Sequence, residues 1–102
     1  MPNHQEHDHQ SLLLHTEAIR KMQEDSALID RALSILDQWN NMEIKPNLIF
    51  KEWNSVLRER DWGTALSARE RGNQIRQSSP VSCTLPYEVR LEIMRLCRKG
   101  LL

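Results

Sequence analysis

Three histidines near the start of the chain are the first residues whose types and spacing could do chemistry. His4, His7 and His9 lie two and three residues apart, and Glu6 and Asp8 stand between them. Imidazole and carboxylate groups at such close spacing can bind a transition metal. The spacing matches no named zinc pattern, however, and no cysteine lies nearby. We therefore favour a solvated tail over a metal site.

Enzymatic chemistry needs a positioned nucleophile, acid or base, and this sequence offers few. All four histidines lie within the first fifteen residues. A Ser–His or Cys–His pair would therefore need that region to fold back on the rest of the chain. The carboxylates are spread singly over polar positions, where a solvated role is usual. We predict a protein with no enzymatic activity, no cofactor and no small-molecule substrate.

An arginine-rich segment in the second half is the candidate for binding. Its guanidinium groups form bidentate pairs with carboxylate or phosphate, which lysine cannot do, and Arg and Trp are the residue types that anchor interfaces. Trp39 and Trp53 are expected in the core, whereas Trp62 begins a predicted helix beside polar residues. The candidate binding residues are Arg58, Arg60, Trp62, Arg69, Arg71 and Arg76.

Two kinds of partner remain open for this segment. A phosphate-facing surface carries a clear excess of positive charge, but Glu59, Asp61 and Glu70 are interleaved with the arginines, and the isoelectric point is about 6.9. Convergence of the arginines on one uninterrupted face would favour nucleic acid. We expect a protein partner or a second copy, as for an adaptor or antitoxin, and keep a nucleic-acid-binding regulator as the alternative.

The net charge is zero, but the two halves of the chain differ. Residues 1–50 carry four basic and eight acidic residues, whereas residues 51–102 carry ten basic and six acidic. Opposite charges attract and orient contacting surfaces. We expect the halves to attract each other, within one fold or between two chains.

The elements that must position these residues are helices. Helix-forming residues are plentiful and glycine is limited to three residues, so propensity favours helix over strand. Residues 25–41 give the clearest pattern, a broad apolar stripe at helical spacing that should contact more than one neighbour. The stripe consists of Leu28, Ile29, Ala32, Leu33, Ile35, Leu36 and Trp39. We predict an all-α fold, a single small domain of four to five helices in orthogonal or bundle-like packing around helix 25–41.

The other helices follow from apolar spacing and end signals. They are predicted at residues 11–23, 48–60, 62–77 and 85–100. Asn47 and Asp61 are candidate N-caps for the second and third of these. The helices at 48–60 and 85–100 should pack on helix 25–41. Within 62–77, a row of small side chains should let another backbone approach closely. The row is Ala65, Ala68, Gly72 and Ile75.

The domain division is simple, with residues 1–9 as a flexible tail that contains the histidines and 10–102 as the helical domain. The longest unbroken apolar runs have three residues, as in Leu12–Leu14, far short of the roughly 20 residues that span a bilayer. The first residues lack the pattern of a secretory signal. Cys83 and Cys97 are expected to stay unpaired. We expect a cytoplasmic protein that makes no use of a membrane.

Overall fold

The computed structural model describes residues 4–45 and 47–102, with side chains from residue 6 onward. Within these ranges the chain forms six α-helices, one 3-10 helix and no strand, which confirms the all-α prediction. The α-helices are α1 (His4–Glu24), α2 (Ala27–Asn41), α3 (Leu48–Glu59), α4 (Trp62–Ala65), α5 (Glu70–Arg76) and α6 (Tyr87–Arg98), and the 3-10 helix covers Ser82–Thr84. None of the helices in these ranges is long and apolar enough to cross a membrane.

The first helix begins at His4, seven residues before the predicted start at Ser11. It therefore includes most of the stretch that the sequence analysis assigned to a tail. Tertiary contact explains the longer helix, because α6 packs against α1. Nε2 of His9 donates a hydrogen bond to the Leu102 oxygen at 3.1 Å. Glu6 in the first turn is also favoured by the positive end of the helix dipole.

Helices α2 and α3 pack against each other, as the sequence predicts. Asn47 caps α3, since its Oδ1 accepts hydrogen bonds from the backbone N–H groups of Ile49 at 2.9 Å and Phe50 at 3.2 Å. The ring centroids of Phe50 and Trp39 lie 5.7 Å apart. Arg60 ends α3 in the left-handed conformation, with φ of 55°.

The predicted single helix at 62–77 is wrong, because the chain breaks there into α4 and α5. Asp61 caps α4, with its Oδ1 accepting from the Thr64 N–H at 3.3 Å. The break follows from close packing within this segment. A Cβ added to Gly72 would lie 2.1 Å from the carbonyl oxygen of Ser67. The small-residue row thus serves contact between neighbouring turns of the same segment, and Ala68 in that row is exposed.

The apolar core lies where α1, α2, α3 and α5 meet. Its central residue, Trp53, is fully buried and donates from Nε1 to the carbonyl oxygen of Ile75 at 2.6 Å. Trp39 is partly buried and packs against the core. The buried apolar residues are Ala18, Ile19, Met22, Ile29, Ala32, Leu36, Phe50, Trp53, Val56, Leu57, Ala65, Ile75, Val81 and Leu85. Trp53 takes the place that the sequence predicts for it.

The last helix is in a different place from the one predicted. We expected it on helix 25–41, but α6 packs mainly against α1. Helix α1 also contacts α2, α5 and the 3-10 helix, so α1 and α2 share the central position. Side-chain pattern alone predicted an apolar face on α6 but could not say which helix would cover it.

Candidate interaction surface

Arg76 is the candidate binding residue that the structure places furthest from solvent, with 4% of its surface exposed. Its Nη1 donates to the carbonyl oxygen of Ala65 at 2.8 Å, and its Nη2 donates to Oδ1 of Asn73. Burial lowers the pKa of Arg76, while Asp8 on α1 opposes that shift. Arg76 therefore joins the end of α4 to α5, and a role in contacting a partner does not fit its burial.

Arg71 is exposed, but its charge is compensated within the fold. Its Nη2 forms an ion pair with the carboxylate of Glu52 on α3. Its Nη1 also donates to Oε1 of Gln74 at 3.2 Å. These contacts join α5 to α3. Part of the hydrogen-bonding capacity of Arg71 is therefore used within the fold, and its charge is paired with that of Glu52.

The remaining candidate arginines, Arg58, Arg60 and Arg69, are exposed. Nε of Arg58 donates to Oδ1 of Asn54 at 2.6 Å on the same helix. Their sequence neighbours Glu59, Asp61 and Glu70 are exposed as well. With Arg76 buried and Arg71 paired, the five arginines do not form one uninterrupted basic face.

Trp62, the aromatic member of the predicted site, is partly buried and packs against the core. It begins α4 and lies directly after the capping residue Asp61. A side chain held in this way positions α4 on the core. Trp62 is therefore less suited to act as a free anchor than its sequence context indicated.

The histidines predicted as metal candidates lie at two surface clefts. The side chain of His4 is outside the described part of the chain. His7 and His9 line a cleft of about 600 Å³ between α1 and α6, together with Cys97, and His7 also lines a cleft of about 500 Å³ between α1 and α5. Among the described residues, no group of three His, Cys, Asp or Glu side chains is arranged to hold a metal ion.

A buried histidine, His15, was not expected from the sequence. His15 lies with its ring stacked on Trp53 at a centroid distance of 5.8 Å. Its Nδ1–H donates to the Ser11 carbonyl oxygen at 2.7 Å, which leaves Nε2 to accept from the Ser79 hydroxyl at 2.8 Å. Burial, the largest effect, lowers the pKa of His15 from 6.5 to about 4, and the charge of Arg76 adds to the shift. The ring is therefore neutral near pH 7.

This Ser79–His15 pair has the atoms of a nucleophile and a base, but its surroundings indicate a structural role. Both side chains are buried. Ser79 Oγ also accepts from the Val81 N–H at 3.0 Å. Neither residue lines the two clefts described above. The pair fastens α1 to the segment before the 3-10 helix. Its sequence signal was spacing, since His15 precedes the buried Ala18 by three residues on the inner face of α1.

The surface that the sequence analysis did not single out lies on α6. No residue of α6 is buried. Tyr87 is 67% exposed and Leu91 is 45% exposed. Met94 is partly buried and lies at the edge of the same row, where it also lines the cleft between α1 and α6. We call Tyr87, Leu91 and Met94 the outer stripe of α6.

A second group of exposed apolar side chains lies at the connection between α2 and α3. Met42 and Leu48 are largely exposed, and Ile44 is 99% exposed. We call these three residues the apolar corner. They lie in or beside a connecting segment, whereas the outer stripe lies on a regular helix with a fixed spacing between its side chains.

No protein-family model, no curated protein and no solved structure matches this chain. Any functional assignment therefore has to be argued from the residues of this chain.

Proposed function

We propose that this protein is a small non-enzymatic helical interaction module that binds a protein partner or a second copy of itself. The contact is made by the second half of the chain, with the outer stripe of α6 at its centre. One observation carries the proposal: α6 is an amphipathic helix of twelve residues in which no residue is buried.

The inner side of α6 explains why the outer stripe is left over. Val89 packs against the core, and Ile93 and Leu96 are partly buried. These positions share a helix side different from that of Tyr87 and Leu91, given about 100° of rotation per residue. Contact with α1 therefore holds the inner side in place and leaves Tyr87 and Leu91 of the outer stripe facing water.

Covering the outer stripe would gain free energy without unfolding anything. Burial of apolar surface contributes about 25 cal/mol per Å², and Tyr is a residue type enriched among interface anchors. Isolated apolar residues on a surface are ordinary. A row spaced by four and three residues on one rigid helix differs from them, since it can enter a groove or pair with another helix.

The test replaces the exposed apolar groups and keeps the fold. Tyr87→Ser combined with Leu91→Gln removes the centre of the outer stripe. Met42→Gln combined with Ile44→Ser is the matched control, because it removes a similar exposed apolar pair from the apolar corner. Both variants should remain folded and unfold at similar temperatures, since all four replaced side chains are exposed.

The readouts are self-association by light scattering and quantitative affinity capture from the source cells. We expect the outer-stripe variant to lose association or captured proteins that the control retains. Equal behaviour of both variants and the unmodified protein would overturn the proposal. Salt-sensitive binding to duplex DNA that survives in the outer-stripe variant, and is lost on replacing Arg58, Arg60 and Arg69 with Ala, would put a nucleic-acid-binding regulator in its place.

A further inference from the structure

Charges on α6 are distributed unequally between its two ends. The first half carries Glu88, Arg90 and Glu92, whereas Arg95, Arg98 and the capping residue Lys99 follow in the second half. At about 100° per residue Glu88, Glu92, Arg95 and Lys99 lie along one flank of the outer stripe, Arg90 lies on the other flank, and Arg98 lies in the row of the stripe itself. Read along the chain, this flank is acidic, acidic, basic and basic.

We propose that the outer stripe of α6 is covered by α6 of a second copy of this chain, which runs antiparallel to it across a two-fold axis. The inference rests on the proposed function and names the partner. In an antiparallel pair the same flanks of the two helices face each other in reversed order. Glu88 and Glu92 of one copy then meet the partner's Lys99 and the partner's Arg95.

This self-matching order is what favours a second copy over an unrelated protein. A two-fold interface uses the same patch on both subunits, so the patch must be complementary to itself. Here one flank carries two acidic residues followed by two basic residues, so in an antiparallel pair each acidic residue faces a basic residue of the other copy. Complementary charge of this kind selects the partner and the orientation more than it adds affinity.

The charged groups on this flank are accessible in the single chain. Arg95 donates from Nε to Oε2 of Glu92 at 3.0 Å, and the two side chains are 50% and 53% exposed. Glu88 and Lys99 are exposed. In a dimer the Glu92–Arg95 pair of one copy therefore lies beside the equivalent pair of the other copy, and these four groups form one network.

The apolar residues at the end of the chain extend the same contact. Leu101 and Leu102 are exposed just beyond α6. An antiparallel pair brings the end of one helix beside the start of the other, so Leu101 lies near the partner's Tyr87, whereas Leu102 is held by its hydrogen bond to His9 on α1. The surface of two single helices is still small against the roughly 1,200 Å² of the smallest stable interfaces. The dimer should accordingly be weak, and it should dissociate on dilution and at high salt.

Charge reversal tests this arrangement directly. Glu88→Lys with Glu92→Lys makes the flank wholly basic, and Arg95→Glu with Lys99→Glu makes it wholly acidic. Each variant alone should dimerise about tenfold or more weakly than the unmodified protein, because like charges then face each other. Mixing the two variants should restore a dimer. Native mass spectrometry identifies it as the mixed species, since the variants differ in mass.

A matched control reverses two exposed acidic residues elsewhere, with Asp30→Lys and Asp37→Lys on α2. It should dimerise like the unmodified protein. A dimer that both reversals leave unchanged would overturn the antiparallel pairing. An unmodified protein that stays monomeric, yet captures proteins that the outer-stripe variant loses, would overturn the second copy as occupant and leave the proposed function standing. A monomer that captures the same proteins with and without the outer-stripe substitutions would overturn both the proposed function and the antiparallel dimer.

Discussion

His15 is neutral in the folded chain because its ring is stacked on Trp53 and shielded from water. A charged imidazole at this site would lose hydration and face the nearby cation of Arg76. The carbonyl oxygen of Ser11 accepts from the protonated Nδ1 of the neutral ring, and the hydroxyl of Ser79 donates to its unprotonated Nε2. His15 and its hydrogen-bond partners therefore stabilise the fold. The exposed groups that can contact a partner lie elsewhere on the molecule.

The first prediction concerns pH. Above pH 6.5 His15 is neutral in both the folded and unfolded chain, so it contributes no pH dependence. Between pH 6.5 and about 4 the unfolded chain binds a proton that the folded chain does not. The free energy of unfolding should therefore fall with falling pH across this window, by about 3 kcal/mol in total.

Urea unfolding at pH 7 and pH 4.5 measures this effect. His15→Gln should be less stable at pH 7, since it loses the stacking on Trp53, and should lose less stability than the unmodified protein on acidification. His7→Gln replaces an exposed histidine and should keep the full pH dependence. Equal pH dependence in the His15 variant would contradict the account of the buried ring.

The second prediction concerns Arg76. Replacement by Met keeps an apolar stem but leaves the Ala65 carbonyl and the Asn73 side chain without their donor. We expect a loss of about 1 to 3 kcal/mol in the free energy of unfolding. Arg69→Met alters an exposed arginine and should change stability by less than about 0.5 kcal/mol. Thermal or urea unfolding distinguishes the two, and equal stabilities would show that Arg76 is not structurally engaged.

At the scale of the elements, α4 and α5 depend on how closely the chain folds back between them. Gly72 lies against the backbone of Ser67, and no larger residue fits without movement of the main chain. Gly63 has open space by comparison, since the nearest atom to an added Cβ is 3.8 Å away. Two glycines only nine residues apart thus have different roles.

The third prediction follows from that difference. Gly72→Ala should lower the free energy of unfolding by about 1 to 3 kcal/mol, because the added methyl group collides with a backbone carbonyl. Gly63→Ala should leave stability unchanged or raise it slightly, since alanine favours helix. Melting temperatures of the two variants provide the comparison. A neutral Gly72 variant would mean that the break between α4 and α5 does not depend on this contact.

Much of the fold follows from local signals, and the exceptions depend on contacts between distant residues. The cap at Asn47 and the pairing of α2 with α3 were predictable because both follow from short-range pattern. The break within 62–77 was not, since it comes from the approach of Gly72 to Ser67. Arg76 resembled its exposed neighbours in sequence, and only the position of the α4 carbonyl turns it inward. The outer stripe of α6 was missed because periodicity does not say which side a neighbouring helix will cover.

At the scale of the whole molecule, the described chain has a radius of gyration of 13.5 Å, close to the ~13 Å typical of 100 residues in a folded domain. The fully buried residues of the core come from the other elements, because no residue of α6 is buried. A helix that contacts the core mainly through Val89 and still carries exposed apolar side chains on its outer side is suited to contact another molecule. The central claim is that Tyr87 and Leu91 supply this contact.

Sedimentation velocity over a hundredfold range of protein concentration at low salt tests that claim most directly. We predict that the unmodified protein and the Met42→Gln/Ile44→Ser control shift from monomer to dimer with rising concentration. The Tyr87→Ser/Leu91→Gln variant should remain monomeric while it keeps its helical circular dichroism signal. A dimer that persists unchanged in this variant would contradict the claim that the outer stripe of α6 is the interface.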